Sequence, residues 1–385
     1  MGLWFSASAV APELTREWEL GSAGAAWLTM SVQLGFVAGA LLSAVLTLPD
    51  VWSPRWLIAG SAIAAAALTA AIAAMSSGLA SAIPLRFLTG MALAGVYPPG
   101  MKVMAGWFRA GRGAAIGAMV GALSVGSALP YLLRAGGGIG DWRLVLYLAA
   151  ALGLGGAGVA AGWIRTGPYE APAAPFDPRA FGRILRDRPT MLANGGYFGH
   201  MWELYAVWTW LPVFVAASFA ADAAEGSTPA LAALLAFATI AIGGLGAWAA
   251  GIAADRAGRT MITSASMIVS GGCCLVAGLL FGAAPWAVTL LCLVWGFAVV
   301  ADSAQFSTAV TELAEPSYVG TALTLQTAIG FLLTVATIRL LPVWQTRWGW
   351  EWAFAPLSLG PLAGTISMLR LRAMPEASKL ASGRR

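Results

Sequence analysis

Residues 251–259, Gly251-Ile252-Ala253-Ala254-Asp255-Arg256-Ala257-Gly258-Arg259, form the most informative motif of the sequence. Its charged residues stand between two runs, 226–254 and 260–301, that contain no Asp, Glu, Lys or Arg. Each run is long enough for at least one membrane-spanning helix, which needs about 20 apolar residues. The pattern therefore predicts a charged loop between two transmembrane helices.

The composition extends this pattern to the whole chain. Of 385 residues, 59% are apolar and 10% are charged, and the mean hydropathy is +0.77. An ordinary soluble domain has about 25% charged residues, so the soluble and disordered classes are excluded. With three cysteines, the chain is not a disulfide-stapled secreted domain either. The net charge is +5, but the basic residues form no continuous stripe, so we expect no nucleic-acid partner.

Charge-free runs predict an all-α membrane protein with twelve transmembrane helices. The run 56–85 is divided at Ser76-Ser77-Gly78 and the run 260–301 at Gly282-Ala283-Ala284-Pro285, so each supplies two helices. Further spans are expected at 1–12, 21–48, 113–133, 144–164, 191–219, 226–254, 316–338 and 352–369. The residues before Glu13 reach only about 18 Å as a helix, so we expect the natural first helix to begin upstream of Met1.

The basic residues of the loops predict the orientation. Fifteen of the 22 Lys and Arg residues fall in alternate loops and the C-terminal tail, and four fall in the opposite loops. Because positive loops face the cytoplasm, the C-terminus is expected there, in a bacterial-type plasma membrane. The fifteen are Arg55, Arg109, Arg112, Arg165, Arg179, Arg183, Arg186, Arg188, Arg256, Arg259, Arg370, Arg372, Lys379, Arg384 and Arg385.

The chain divides into two halves of six predicted spans. We expect an N-terminal bundle at 1–164, a cytoplasmic linker at 165–190, a C-terminal bundle at 191–370 and a tail at 371–385. The linker holds five prolines and five arginines, and 179–188 is expected to form a short amphipathic helix.

Two pairs of landmarks indicate a duplication. Asp50 and Asp255 are 205 positions apart, and Gly113 and Gly320 are 207 apart. Nearly equal offsets at unrelated landmarks are hard to obtain by chance, so the halves are expected to be repeats.

Twelve spans, two repeats, a basic middle loop and the 251–259 motif together resemble the major facilitator superfamily, over essentially the whole chain. The resemblance implies a secondary transporter that works by alternating access. It also implies that the motif loop holds a cytoplasmic gate. Asp255 would engage a neighbouring helix end, Arg256 and Arg259 would pair with acids, and Gly258 would permit a tight turn.

The first repeat departs from that pattern. It keeps Asp50 and Arg55 but lacks the Arg-x-Gly core, so its gate is expected to rest on these two residues. Residues 86–90, Arg-Phe-Leu-Thr-Gly, resemble the family's motif in the fourth span. Residues 107–117 resemble the nitrate/nitrite, cyanate and oxalate–formate porters.

Four polar residues within spans are candidates for binding the substrate: Arg86, Gln33, Gln326 and Gln305. A buried charge at mid-membrane costs about 2.5–3.5 kcal/mol on insertion scales, so we expect Arg86 to have a functional or structural role. As the only deep cation, it favours a small anion or carboxylate as substrate. A structural ion pair is the alternative for Arg86, and hydrogen bonding between helices is the alternative for the glutamines. Lys102 and Arg339 lie near span ends, where snorkelling is expected.

Two acids and the single histidine are candidates for proton coupling. Tyr197, His200 and Glu203 are three apart on one helix face, and Asp302 and Gln305 are also three apart. The functional hypothesis is that Glu203 or Asp302 binds a proton during transport, with His200 nearby. The alternative is a static network that joins helices, in which His200 makes a structural hydrogen bond.

Nothing in the sequence indicates an enzyme, a metal site or a cofactor. Cys273, Cys274 and Cys292 fall within spans without the spacing of a metal site, so they are expected to be inert. The sequence therefore predicts a monomeric, proton-coupled secondary transporter of a small solute, whose partners are that solute, protons and the lipid bilayer. Proton-driven efflux of an apolar or cationic compound is one alternative, and a transport-dead sensor or scaffold is another.

Overall fold

The computed structural model describes residues 2–135, 141–170, 177, 179–221 and 229–385, and this part of the chain is helical without a β-strand. Helices α1 to α9 are Gly2–Ala9, Ala11–Glu17, Ser22–Val45, Leu48–Val51, Pro54–Met75, Leu79–Leu93, Tyr97–Trp107, Arg112–Ala135 and Trp142–Trp163. Helices α10 to α18 are Arg179–Arg186, Arg188–Ala221, Pro229–Ala257, Arg259–Leu279, Pro285–Ala301, Ser303–Leu313, Val319–Trp348, Trp350–Ala353 and Leu359–Arg372. A 3₁₀ helix, Pro375–Gly383, follows α18.

Among the described residues, eleven segments are long and apolar enough to cross a membrane. They correspond to the second to twelfth predicted spans, and both predicted divisions of the long charge-free runs are confirmed. The short helices α1 and α2 occupy the place of the first span. Leu14 of α2 is fully buried in an apolar cluster with Leu28, Ile72 and Leu146. The structure is thus consistent with the predicted twelve-helix all-α architecture.

Two of the spans are interrupted at related positions. One span is divided into α6 and α7 at residues 94–96, because Pro98 and Pro99 stand in the first turn of α7 and cannot continue a hydrogen-bond ladder. Another is divided into α14 and α15 at Asp302. Positions 95 and 302 differ by the same 207 residues as Gly113 and Gly320. The interruptions therefore belong to the repeat.

Glycines allow the helix backbones to touch within each repeat. A Cβ atom on Gly90 would lie 2.0 Å from the carbonyl oxygen of Val32, so α6 and α3 pack without an intervening side chain. In the second repeat, a Cβ on Gly296 would lie 2.0 Å from the carbonyl oxygen of Thr239, which joins α14 to α12 in the same way. Such contacts replace the hydrophobic driving force that is missing between helices in lipid.

The chain forms two compact units, and neither is a simple half of the sequence. One unit comprises Met1–Arg109, Gly138–Leu185 and Ala314–Leu332. The other comprises Ala110–Gly137, Arg186–Leu313 and Leu333–Arg385. Helix α8 therefore packs with the second unit, and the first part of α16 packs with the first unit. The division at 164 and 190 remains a prediction.

The described part of the linker contains the expected short helix, α10. Asp177 precedes it, with Oδ2 accepting a hydrogen bond from Arg183 at 2.6 Å and Oδ1 accepting one from the backbone nitrogen of Arg179 at 2.9 Å. These bonds, Arg183's first, hold the pKa of Asp177 below its usual value. Arg183 also lies 3.8 Å from Glu315 and 5.3 Å from the ring of Tyr318, so α10 contacts the residues that immediately precede α16. Residues 171–176 and 178 of the linker lie outside the described residues.

Candidate functional site

The carboxylate of Asp255 binds the beginning of helix α8. Its Oδ1 accepts a hydrogen bond from the backbone nitrogen of Gly113 at 3.1 Å, and its Oδ2 accepts one from Ala114 at 3.0 Å. The first turn of a helix has free N–H groups and a partial positive charge, so a carboxylate is stabilised there. A Cβ on Gly113 would lie 2.7 Å from Oδ1 of Asp255 and 2.5 Å from Nη1 of Arg259, so a larger residue would displace these side chains from the start of α8.

Arg259 joins this contact to helix α15. Its guanidinium is buried and donates to both carboxylate oxygens of Glu312, at 2.7 and 2.6 Å. It also donates to Asp255 at 3.1 Å and to the side-chain oxygen of Gln305 at 2.9 Å. The amide nitrogen of Gln305 donates in turn to the carbonyl of Gly113 at 3.4 Å. Gln305 is thus part of the charged cluster, and this placement does not support its predicted role in substrate binding.

The turn between α12 and α13 depends on Gly258. Its φ of 103° lies in the left-handed region, which glycine adopts without steric cost. Arg259, the next residue, is thereby directed into the cluster. Arg256 is exposed on the surface, outside this cluster, so the predicted pairing of Arg256 with an acid is not seen among the described residues.

The first repeat contains a second contact of the same kind. Oδ1 of Asp50 accepts a hydrogen bond from the backbone nitrogen of Gly320 at 3.1 Å. Oδ2 accepts bonds from the backbone nitrogen and the hydroxyl of Thr321, at 2.7 and 2.8 Å. Asp50 thus binds the beginning of α16 as Asp255 binds the beginning of α8. We call these two contacts the first clamp (Asp50 with Gly320 and Thr321) and the second clamp (Asp255 with Gly113 and Ala114).

Lys102 supplies the cation of the first clamp. Its ammonium group lies 2.7 Å from Oδ1 of Asp50 and donates to the carbonyl of Pro49 at 2.8 Å. Glu170 is 4.0 Å away. Lys102 is 8% exposed, so the expectation that it snorkels is wrong. The carboxylate of Asp50 and the start of α16 offer it closer partners than the membrane surface does.

Arg55 does not take the gating position that the resemblance implied. Among the described residues no ion pair joins Arg55 to Asp50; the guanidinium of Arg55 lies 4.7 Å from the ring of Trp56. It also lines a cavity of about 250 Å³ with Arg165 and Glu170. The prediction for Arg55 is therefore corrected, because Lys102 occupies the place beside Asp50.

Arg86 is fully buried and bonded to backbone carbonyls. Its Nε donates to Leu28 at 3.1 Å, its Nη1 to Leu3 at 3.1 Å and its Nη2 to Trp4 at 2.7 Å. Each guanidinium nitrogen thus holds a carbonyl of α1 or α3. This geometry favours a structural role over the substrate-anion hypothesis, although the partners are carbonyls rather than the acid of an ion pair.

Gln33 has a buried side-chain amide whose hydrogen-bonding groups are not satisfied by the described residues. It is fully buried in α3, and neither its amide nitrogen nor its amide oxygen has a hydrogen-bond partner among the described residues. Phe36 lies one turn further along the same helix face. Its ring is 5.3 Å from that of Trp4 and 4.5 Å from that of Phe331, and the latter two are 4.9 Å apart. Gln326 is also fully buried, in α16.

Glu203 is buried in α11 and bonded on both carboxylate oxygens. Trp295 of α14 donates to Oε1 at 2.6 Å, and Cys274 of α13 donates to the same oxygen at 3.2 Å. Ser270 donates to Oε2 at 2.9 Å. Cys274 thus serves as a hydrogen-bond donor to Glu203, and this contact does not contradict the expectation that the thiol is inert. Three donors on neighbouring helices offset the cost of burying the carboxylate.

His200 and Asp302 form a second buried pair. Nδ1 of His200 lies 2.8 Å from Oδ1 of Asp302, and each side chain is 1% exposed. Asp302 stands at the interruption between α14 and α15. The rings of Tyr197 and Phe306 flank the imidazole, each with its centroid 5.9 Å away. The structure thus brings together the two helix faces on which the coupling candidates were predicted.

The sequence identified most of the charged residues of these sites. It did not identify the side chains that they bind. Lys102 and Glu312 complete the clamps, and Trp295 and Ser270 hold Glu203. The repeat could have indicated the first two, since Lys102 and Glu312 are 210 positions apart at the ends of related spans. Among the described residues, no group of three or more His, Cys, Asp or Glu side chains could hold a metal ion.

Comparisons with known proteins agree with this architecture. A family model described as Major Facilitator Superfamily matches residues 1–337. Among solved structures, the chain is similar to one described as the proton:xylose symporter XylE bound to 6-bromo-6-deoxy-D-glucose, with a TM-score of 0.72. The two share 13% sequence identity over 96% of this chain and 93% of that one, so the likeness shows the fold alone. No curated protein sequence matches the chain.

Proposed function

Because this chain belongs to the major facilitator superfamily and is therefore a membrane transporter rather than an enzyme, we propose that it carries a small uncharged polar solute by proton-coupled alternating access. The observation that carries the proposal is the pair of clamps. Repeat-related aspartates bind the first turns of repeat-related helices, α16 and α8. Two equivalent contacts at such positions are suited to opening and closing one end of a transport path.

Each clamp contains a cation that two carboxylates share, and this arrangement allows the contact to open and close. In the second clamp, Arg259 is shared between Asp255 and Glu312, and in the first, Lys102 is shared between Asp50 and Glu170. A shared cation keeps one carboxylate as its partner when it leaves the other, so the cation itself is not left buried without an acid. We propose that the clamps form the cytoplasmic gate, on the side that the positive loops assign to the cytoplasm.

The substrate class follows from the groups that have no other partner. The donors of Arg86 are bonded to backbone carbonyls, which removes the main support for an anionic substrate. A buried amide without partners costs roughly 1–3 kcal/mol, so Gln33 is expected to bond to solute or water. Phe36, one turn along α3 from Gln33, packs against the rings of Trp4 and Phe331, so this helix face is apolar apart from the amide. This combination fits an uncharged molecule with hydroxyl groups.

Proton coupling is assigned to the two buried acids of the second unit. Glu203 and His200 lie one turn apart on α11, and Asp302 contacts the imidazole. A proton that enters this group can be held by a carboxylate or by the imidazole. XylE, which has the same fold, is described as a proton:xylose symporter, and both its coupling ion and its solute are of the kinds proposed here.

Uptake into proteoliposomes tests the proposal. With an inward proton gradient, we expect accumulation of at least one member of a panel of pentoses, hexoses and polyols, and no accumulation of carboxylates or nitrate. Dissipation of the gradient should reduce the accumulation to equilibration. Gradient-driven transport of anions alone would contradict the proposed substrate class, and transport that is indifferent to the gradient would contradict the coupling.

Gln33→Leu is expected to weaken solute binding about tenfold or more. The change keeps the approximate size of the side chain but removes two hydrogen-bonding groups, each worth about 0.5–1.5 kcal/mol. The KM for uptake of the transported solute measures the effect. Gln345→Leu is the matched control, because it makes the same chemical change on a partly exposed residue of α16. An unchanged KM for Gln33→Leu would remove Gln33 from the site.

A further inference from the structure

The C-terminal segment 375–385 is seated on the second clamp. After α18 the chain forms the 3₁₀ segment Pro375–Gly383, which is kinked at Leu380–Ser382, and its apolar residues Ala377 and Leu380 are fully buried. The sequence had presented this segment only as part of a cytoplasmic tail. Its burial shows that it packs on the second unit instead of extending into solvent.

Two hydrogen bonds join this segment to Glu312 and to the backbone of Asp255. The backbone nitrogen of Ala381 donates to Oε2 of Glu312 at 3.1 Å, on the carboxylate that also binds Arg259. The guanidinium of Arg384 donates to the backbone carbonyl of Asp255. The tail therefore contacts both residues between which Arg259 is shared.

The tail also covers the turn that directs Arg259 inward. The hydroxyl of Thr260 donates to the carbonyl of Arg385 at 3.1 Å, and Arg372 donates to that hydroxyl at 3.1 Å. A Cβ on Gly258 would lie 2.2 Å from the same carbonyl of Arg385. Position 258 is thus restricted to glycine by the tail as well as by its own φ.

The backbone of the tail is held in an unusual conformation at these contacts. Ala381 and Ser382 have φ values of 46° and 56°, in the left-handed region that residues other than glycine seldom adopt. Such conformations persist where surrounding contacts fix them. At Ala381 that contact is the bond to Glu312.

We propose that residues 375–385 form a latch that keeps the second clamp closed and must be released before the clamp opens. The proposal rests on the gating role given to the clamps under the proposed function. Glu312 cannot leave Arg259 without breaking its bond to Ala381, and the turn at Gly258 cannot shift without displacing the carbonyl of Arg385. Release of the tail therefore removes the bond between Ala381 and Glu312 and the packing of Arg385 on Gly258, both of which hold the clamp closed.

A cysteine placed beneath the clamp reports its opening without any solute. Thr308 is fully buried and lies on the face of α15 that carries Gln305 and Glu312, so Thr308→Cys should react slowly with a maleimide added to the reconstituted protein. Deletion of 375–385 in that background is expected to raise the labelling rate about tenfold or more, since several hydrogen bonds and buried side chains are lost. Arg384→Gln, which keeps the segment, should raise it about threefold.

Lys379→Gln is the matched control, because it removes a charge from an exposed position of the same segment and should leave the rate unchanged. The blank is the protein without Thr308→Cys, whose native cysteines are buried. Faster labelling without any solute transport would support the latch and contradict the proposed function. Unchanged labelling in both the deletion variant and Arg384→Gln would overturn the latch, whether or not transport is observed.

Discussion

Replacement of Glu203 by glutamine is expected to abolish proton-driven accumulation of the solute while exchange of solute across the membrane continues. Glutamine has nearly the same shape, and its amide oxygen can still accept the bonds from Trp295 and Cys274. It cannot bind and release a proton. With one proton carried per solute, a pH difference of one unit supports about tenfold accumulation, and the variant should reach only the external concentration.

Gradient-driven uptake and solute counterflow, measured on the same proteoliposomes, separate these two activities. Glu351→Gln is the control, since it makes the same change at an exposed position. Asp302→Asn should also impair accumulation, because it removes the carboxylate that lies beside His200. If both Glu203→Gln and Asp302→Asn accumulate solute as the wild type does, the assignment of proton coupling to these acids is wrong.

Asp50→Asn is expected to destabilise the protein by about 3 kcal/mol, because it removes the close charged partner of the buried Lys102 ammonium and leaves only Glu170, 4.0 Å away. It also weakens the binding of the first turn of α16, where Gly320 and Thr321 donate to the carboxylate. Denaturant unfolding in detergent micelles measures the loss. The double variant with Lys102→Gln should recover much of it, because the buried ammonium is then removed together with its close partner.

Arg55→Gln provides the comparison for this prediction. The structure places Arg55 beside Trp56 rather than Asp50, so its replacement should change stability by no more than about 0.5 kcal/mol. An equal cost for Arg55→Gln and Asp50→Asn, with no recovery in the double variant, would return the gating role of the first repeat to Arg55.

The fold could be predicted because each membrane-spanning helix requires its own run of apolar residues, which is visible in the sequence. Charge-free runs located the spans, and the divisions at 76–78 and 282–285 follow from local breakers. The repeat offsets were informative for a further reason. The four landmark residues that defined the offsets also form two contacts. Asp50 binds the backbone nitrogen of Gly320, and Asp255 binds that of Gly113.

The site was less predictable because the partner of a charged group is set by packing rather than by position along a helix. Lys102 lies close enough to a span end to snorkel, yet it is paired with Asp50. Arg86 lies deep enough to bind an anion, yet backbone carbonyls of other helices take its donors. Gln305 has the spacing of a cavity residue but lies in the second clamp. In each case a residue distant in sequence decides the role.

Amide hydrogen exchange tests most directly the proposal that each clamp aspartate holds the first turn of its helix closed. The rates to compare are those at Gly113 and Ala114 in the wild type and in Asp255→Asn, and those at Gly320 and Thr321 in the wild type and in Asp50→Asn. Each replacement is expected to accelerate exchange at the two amides of its own clamp, because the carboxylate that accepts their hydrogen bonds is lost. Unchanged exchange at either pair would contradict the clamp proposed there.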